Sequence, residues 1–138
     1  MNYLIGEVSK LLGLSIPTLR YYDEKHMIPN LQKDSNGKRI FTEANITDIK
    51  IIQCLKKAGL SIKEIQDFMQ LVSQGDDSLA ERLEVFKIMR QNVLEEIADL
   101  EYTLQVVDYK ISYYSKAVAD GTEKYIKAGS KLPERNYK

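Results

Sequence analysis

Apolar residues recur at helical spacing near the start of the chain and predict two short helices. The first covers residues 4–12, with its apolar residues on one face: Ile5, Val8, Leu11 and Leu12. The second covers residues 16–24, because Ser15 is a favourable N-cap and Pro17 lies in the first turn, where its missing N–H is harmless. Two short helices joined by a tight turn at Gly13 predict a helix-turn-helix.

The pattern changes at residues 31–42, which predict a small β-hairpin. Ile40 and Phe41 suit a strand, and Asn36-Gly37 is a dipeptide favoured in two-residue hairpin turns. A hairpin directly after a helix-turn-helix has the position of a wing.

Helical spacing returns after the hairpin and predicts helices over residues 43–58 and 61–72. Gly59 separates the two, and Ser61 begins a capping-box sequence that opens the second. The first helix is assigned these apolar positions: Ile46, Ile49, Ile52, Cys54, Leu55 and Ala58. Polar residues 73–77 are predicted to form a linker.

Hydrophobic positions over residues 79–118 then alternate in steps of four and three, which predicts one long coiled-coil helix. Arg90 is the only polar residue in this repeat. A helix of about 60 Å cannot bury such a seam against so small a head, so a second identical chain is the predicted partner. The predicted interface residues are Leu83, Phe86, Val93, Ile97, Leu100, Leu104, Val107, Ile111 and Tyr114.

Together these elements predict an all-α fold with a small β-hairpin wing. A winged helix-turn-helix head occupies residues 1–75 and a dimerising coiled-coil helix occupies residues 76–120. Residues 121–138 form a polar C-terminal tail.

The amino-acid composition excludes several classes of function for this chain. The 138 residues carry 20 basic and 20 acidic side chains, so any nucleic-acid contact must come from a local basic patch. One cysteine and one histidine allow neither an internal disulfide nor a Cys/His zinc site, and no catalytic set or cofactor motif is present, so we expect no enzyme, metal or cofactor. The absence of a long apolar run and of a signal-peptide profile predicts a cytoplasmic protein without membrane association.

At about 100° per residue, Ile16, Leu19 and Tyr22 share one face of the second helix, and Thr18 and the residues Arg20 and Tyr21 point elsewhere.

The second of these faces carries the candidate chemistry. Arg20 can engage a guanine edge or a phosphate, and Thr18 and Tyr21 can donate to phosphates or bases. The helix N-terminus at Ser15 is a further phosphate site. Taken alone, this helix fits DNA binding and a helix-turn-helix that never contacts DNA, with Arg20 simply solvated, equally well.

The hairpin favours the DNA interpretation. Its turn carries Lys38 and Arg39, and a basic wing beside a recognition helix can grip the flanking phosphate backbone. An interaction module that dimerises through the long helix and binds protein with its head is the alternative. It predicts no continuous basic surface joining Arg20, Arg39 and Lys56.

Three stretches resemble the MerR family of bacterial transcription regulators: "IGEVSKLLGLSIPTLRYYDEKHMIP", "NGKRIFTEANITDIKII" and "LKKAGLSIKEI". The resemblance covers residues 3–72 and implies a homodimer with antiparallel coiled-coil helices and two winged heads. It implies binding to dyad-symmetric, double-stranded promoter DNA, which the dimer distorts so that RNA polymerase can engage both promoter elements. Thr18, Arg20, Tyr21 and Arg39 match DNA-contact positions of the family, and Lys56 matches a basic position near phosphate.

Two features of the resemblance are particular to this chain. His26 stands where the family often has glycine, which leaves the end of the second helix open. Cys54, in "IIQCLKKAGLSI", resembles the single cysteine of the family's aldehyde- and thiol-stress branch. Two interpretations of Cys54 stay open, a small buried core residue and a sensor of electrophiles.

Overall fold

The computed structural model describes residues 1–126 and 131–135 and is mostly helical, with a three-stranded antiparallel sheet. The chain divides into two compact units, Met1–Met89 and Arg90–Lys138. The strands are β1 (Asn2–Leu4), β2 (Gln32–Lys33) and β3 (Arg39–Thr42). The helices are α1 (Ile5–Leu12), α2 (Ile16–Glu24), α3 (Glu43–Lys57), α4 (Ile62–Ser73) and α5 (Leu79–Asp120).

The core of the first unit draws on α1 to α5 and on the sheet. Its fully covered side chains include Val8, Leu19, Tyr22, Met27, Phe41, Ile49, Ile52, Leu55, Ile65 and Met69. The helical spacing of α3 is therefore confirmed for Ile46, Ile49, Ile52 and Leu55, which are buried, whereas Cys54 is exposed. In α1, Leu11 was predicted on the apolar face but is 58% exposed.

The wing is larger than the predicted hairpin, because β1 pairs with the far side of β3. The strand order is β1-β3-β2, and Tyr3 lies opposite Phe41. The Tyr3 hydroxyl donates to Glu43 Oε1 at 2.7 Å, and this hydrogen bond raises the pKa of the tyrosine. The central strand, β3, therefore pairs with β1 on one side and with β2 on the other.

The hairpin turn also differs from the prediction. Gly37 N–H donates to the Asp34 carbonyl at 3.0 Å, and Asp34 N–H donates to the Lys38 carbonyl at 2.8 Å. Asp34 Oδ1 accepts the N–H groups of Asn36 and Lys38, each at 2.9 Å. Within the turn Gly37 has a positive φ, +79°, and Asn36 does not, so a three-residue loop capped by Asp34 replaces the two-residue Asn36-Gly37 turn.

Local capping signals account for the ends of α2 and α4. His26 adopts a φ of +56°, and its N–H donates to the Asp23 carbonyl at 2.9 Å. Histidine thus takes the left-handed conformation at a cost of about 1–2 kcal/mol, and α2 still ends at Glu24. The capping box of Ser61 and Glu64 is confirmed, and its hydrogen bonds lower the pKa of Glu64.

Residues 73–77, predicted as a linker, contain part of a 3₁₀ turn at Gly75–Ser78. Ser78 is fully buried, and its Oγ lies within hydrogen-bond distance of the Leu71 and Gly75 carbonyl oxygens. Arg82 donates to Ser78 Oγ at 3.1 Å and to the Gly75 carbonyl at 2.8 Å. Residues 73–77 thus connect α4 to α5 as predicted, and the hydrogen bonds of Ser78 and Arg82 attach this short connection to the head.

Candidate nucleic-acid interface

The start of α2 is organised by its two hydroxyl side chains. Ser15 Oγ accepts the Thr18 N–H at 3.2 Å and lies 2.8 Å from Thr18 Oγ1. These contacts satisfy one of the free N–H groups of the first turn. Ser15 and Thr18, the two residues of this turn that were predicted to contact phosphate, therefore both take part in the cap of the helix.

The two faces of α2 divide as the spacing predicts. Leu19 and Tyr22 are buried, and burial raises the pKa of Tyr22. Arg20 is exposed and Tyr21 is 39% exposed, with Lys25 Nζ 5.8 Å from the centroid of the Tyr21 ring. The apolar face anchors the helix in the core, and the other face presents a guanidinium and a phenol to solvent.

The wing and α2 meet in a basic groove, which we define by Lys10, Arg20, Lys38 and Arg39. Its volume is about 620 Å³, and Gly37 of the wing turn and Glu7 of α1 also line it. The structure thus brings together three of the predicted contacts, one from the recognition helix and two from the wing. Sequence reasoning missed Lys10, whose only signal was a basic side chain in the last turn of α1.

Arg39 connects the wing to the recognition helix. Its Nε donates to Asp23 Oδ2 at 2.7 Å, and the two side chains are only 19% and 21% exposed. Partial burial strengthens such a charge-assisted hydrogen bond relative to an exposed pair. The pair fixes the wing against α2, and the sequence pattern did not indicate it.

Lys56 lies apart from this group of contacts. It is exposed in the last turn of α3, beside Lys57, and it is not among the residues that line the basic groove. Of the three residues predicted to form one continuous basic surface, Arg20 and Arg39 therefore share the groove, and Lys56 is not part of its lining.

A profile of the family described as MerR HTH family regulatory protein matches residues 3–72, which is half of the chain and includes α2, the wing and α4. The chain belongs to the MerR family.

Relatives extend the MerR match beyond the head. An uncharacterized HTH-type transcriptional regulator of Haemophilus influenzae is 36% identical over 126 residues, covering 91% of this chain and 93% of the relative. The crystal structure of HiNmlR, a MerR family regulator lacking the sensor domain, bound to promoter DNA, superimposes with a TM-score of 0.84 at 36% identity, covering 91% of this chain and all of that one. A MerR family transcriptional regulator from Bacillus thuringiensis gives a TM-score of 0.75 at 38% identity over 81% and 98% of the two chains. These relatives are transcription regulators rather than enzymes, and so is this MerR protein.

Cys54 is exposed on α3. The interpretation as a buried core residue was wrong for this chain, because at about 100° per residue Cys54 lies about 160° around the helix from buried Ile52. Residues 1–126 and 131–135 contain no cluster of His, Cys, Asp and Glu that could hold a metal ion. No helix of the same residues is long and apolar enough to cross a membrane.

Every predicted interface residue of α5 retains solvent exposure. Val93 is partly exposed, and the other predicted interface side chains are each at least 37% exposed: Leu83, Phe86, Ile97, Leu100, Leu104, Val107, Ile111 and Tyr114. Evenly spaced exposed apolar residues of this number are typical of a surface that a partner covers.

Proposed function

We propose that this MerR regulator binds a dyad-symmetric promoter site as a homodimer through two winged heads. The bound dimer distorts the DNA between promoter elements and so controls their use by RNA polymerase. Residues 1–75 form the DNA-binding domain, residues 76–120 the dimerisation helix and residues 121–138 the tail.

The basic groove is the observation that carries this proposal. It brings the exposed arginine of a recognition helix together with two cations of a wing. Binding of DNA needs both, because the helix contacts bases in the major groove and the wing contacts the flanking phosphates. The similarity to HiNmlR bound to promoter DNA supports the same use of this surface. A protein-binding head gives no reason for Lys10, Arg20, Lys38 and Arg39 to gather beside one helix.

Selection of bound duplexes from a random pool tests the proposal most directly. We expect an enriched inverted repeat, because two identical heads related by a dyad read the same half-site. Enrichment of a single half-site would contradict the dimeric arrangement. Failure to enrich any sequence would contradict DNA recognition by this head.

We expect Arg39→Ala to weaken binding to all duplexes by a similar factor. A wing contact to phosphate carries no base information, and each lost phosphate contact removes about 0.9 from the slope of log K against log salt. A dimer loses two such contacts, so the slope should flatten by roughly two. Titration of the selected site and of a scrambled duplex at several salt concentrations measures both effects.

Two control variants separate charge from positioning in this test. Arg39→Lys keeps the charge and should retain most of the salt slope. Asp23→Asn keeps Arg39 but removes its 2.7 Å ion-pair partner, so the wing loses its attachment to α2 while the local positive charge rises. An Arg39→Ala slope equal to that of the parent protein would exclude the phosphate contact.

We propose a sensing role for Cys54 as a finer part of this function. Its exposure on α3 makes the thiol accessible to electrophiles, as a covalent switch requires. Alkylation or a mixed disulfide is the expected chemistry, since the chain has no second cysteine.

We expect Cys54→Ser to change the free energy of unfolding by less than about 0.5 kcal/mol, because the side chain is exposed. The variant should keep its DNA affinity and lose transcriptional induction by an aldehyde or a quinone. Mass spectrometry of the native protein after brief treatment with a limiting electrophile should find Cys54 modified. Induction that persists in Cys54→Ser would exclude the sensor.

A further inference from the structure

The second unit presents two contrasting faces of α5. One face carries Tyr102, Val106, Tyr109 and Tyr113, which are partly buried, and Ala117, which is only 9% exposed. Two described residues of the C-terminal segment, Glu123 and Arg135, contact this face. Tyr113 donates its hydroxyl hydrogen to Glu123 Oε1 at 2.8 Å, and Arg135 pairs with Asp99 and lies 5.9 Å from the Tyr102 ring centroid.

The other face is the part of the seam that begins at Arg90. Its central apolar members are Val93, Ile97, Leu100, Leu104 and Val107, of which the last four are 46–68% exposed. The described part of the chain contacts the tyrosine face and leaves this stripe in solvent. A second copy of the chain is the occupant whose own stripe has the matching spacing.

Arg90 distinguishes between the two ways in which identical helices can pair. In a parallel dimer without stagger, each seam position meets itself, so Arg90 would face the partner's Arg90 inside an apolar interface. Two unpaired cations there would disfavour association, because burial removes their water without providing an opposite charge. The charge pattern therefore favours antiparallel pairing.

The heptad positions allow antiparallel registers that differ by seven residues, and one of these overlaps the whole seam of residues 79–118 with that of the partner. In this register three kinds of layer lie around the two-fold axis, each present twice: Ile97 with the partner's Leu100, Val93 with the partner's Leu104, and Arg90 with the partner's Val107. Each pair combines an a position with a d position, so knobs and holes match throughout. The two-fold axis passes between Ala98 and Asp99.

This register places an acid beside each Arg90. Asp108 follows Val107 and occupies the flanking e position, next to the layer that Arg90 enters. Arg90 and Asp108 are both exposed, and the described residues of the same chain provide neither with an ion-pair partner. We propose that Arg90 pairs with the partner's Asp108, twice per dimer, and fixes the register and direction of the coiled coil. This inference rests on the dimer of the proposed function.

Charge reversal tests the pair. Arg90→Asp alone and Asp108→Arg alone should each weaken dimerisation at least tenfold in sedimentation equilibrium, because each homodimer then holds two like-charge contacts. An equimolar mixture of the two variants should recover dimers, since a heterodimer restores both opposite-charge contacts. The double variant should also recover them. Far-UV circular dichroism of the single variants checks that α5 stays helical.

Disulfide trapping tests the register independently, in a Cys54→Ser background. Val93→Cys together with Leu104→Cys should yield cross-linked dimers under mild oxidation, and neither single variant should. Cross-linking of Val93→Cys alone would indicate parallel chains and overturn the proposal. Failure of the charge-reversed mixture to recover dimers would overturn it too, while a parent protein that still dimerises and binds an inverted repeat leaves the proposed function standing. A monomeric parent would overturn both.

Discussion

Leu104→Glu is expected to convert the dimer into a folded monomer. Leu104 is 59% exposed in the single chain, so the substitution leaves the core of the first unit untouched. In the dimer it would bury two unpaired carboxylates, each at a cost of several kcal/mol. The dissociation constant measured by sedimentation should therefore rise by at least about a hundredfold.

Loss of the dimer should also weaken DNA binding. Two linked heads bind an inverted repeat more tightly than one by about 10²–10⁴, and a monomer forfeits that gain. Gln105→Glu is the matched control, because it adds the same charge one residue away from the seam, on an exposed side of the helix. Dimerisation of Leu104→Glu with the affinity of the parent would remove the coiled-coil interface from the proposed function.

The helices could be predicted closely because their signals are local. The bounds of α2 follow from Ser15 as N-cap and Pro17 in the first turn, and the structure has the helix at Ile16–Glu24. The capping-box sequence that begins at Ser61 likewise predicts the start of α4 from only four consecutive residues. Such signals act between neighbours along the chain, so one sequence is sufficient to find them.

The strands were harder because their partners are distant in sequence. β1 has only three residues, and Tyr3 pairs with Phe41 across the intervening helix-turn-helix. The turn was predicted from Asn36-Gly37 alone, whereas the side chain of Asp34 decides it by accepting two backbone N–H groups. A dipeptide rule does not include this side chain.

The candidate site likewise combines residues that local sequence signals reveal with contacts between residues distant in sequence. Arg20 and Tyr21 were found because Leu19 and Tyr22 define the buried face of α2. The groove residue Lys10 and the ion pair of Asp23 with Arg39 depend on how α1, α2 and the wing pack together, and each of these residues is ordinary in its own sequence context. Periodicity along one element carries no information on which side chains of different elements meet.

Arg20→Ala is expected to have the largest effect on sequence recognition. A bidentate contact between arginine and a guanine contributes about 1–3 kcal/mol of discrimination, and a dimer contains two copies of Arg20. The preferred site should therefore lose about 2–6 kcal/mol of binding free energy, whereas a random duplex should lose only the contribution of the charge. Paired titrations on both duplexes at one salt concentration measure the ratio.

Two conservative variants identify which property of the helix surface matters. Arg20→Lys keeps the charge but not the planar fork, so it should restore binding to the random duplex and leave the preferred site weakened. Tyr21→Phe removes only a hydroxyl, so a loss confined to the preferred site would assign the phenol a base contact. Since Arg20 is exposed, the melting temperature of both Arg20 variants should match that of the parent. Equal losses on both duplexes for Arg20→Ala would show that Arg20 contacts phosphate and that another residue reads the base pairs.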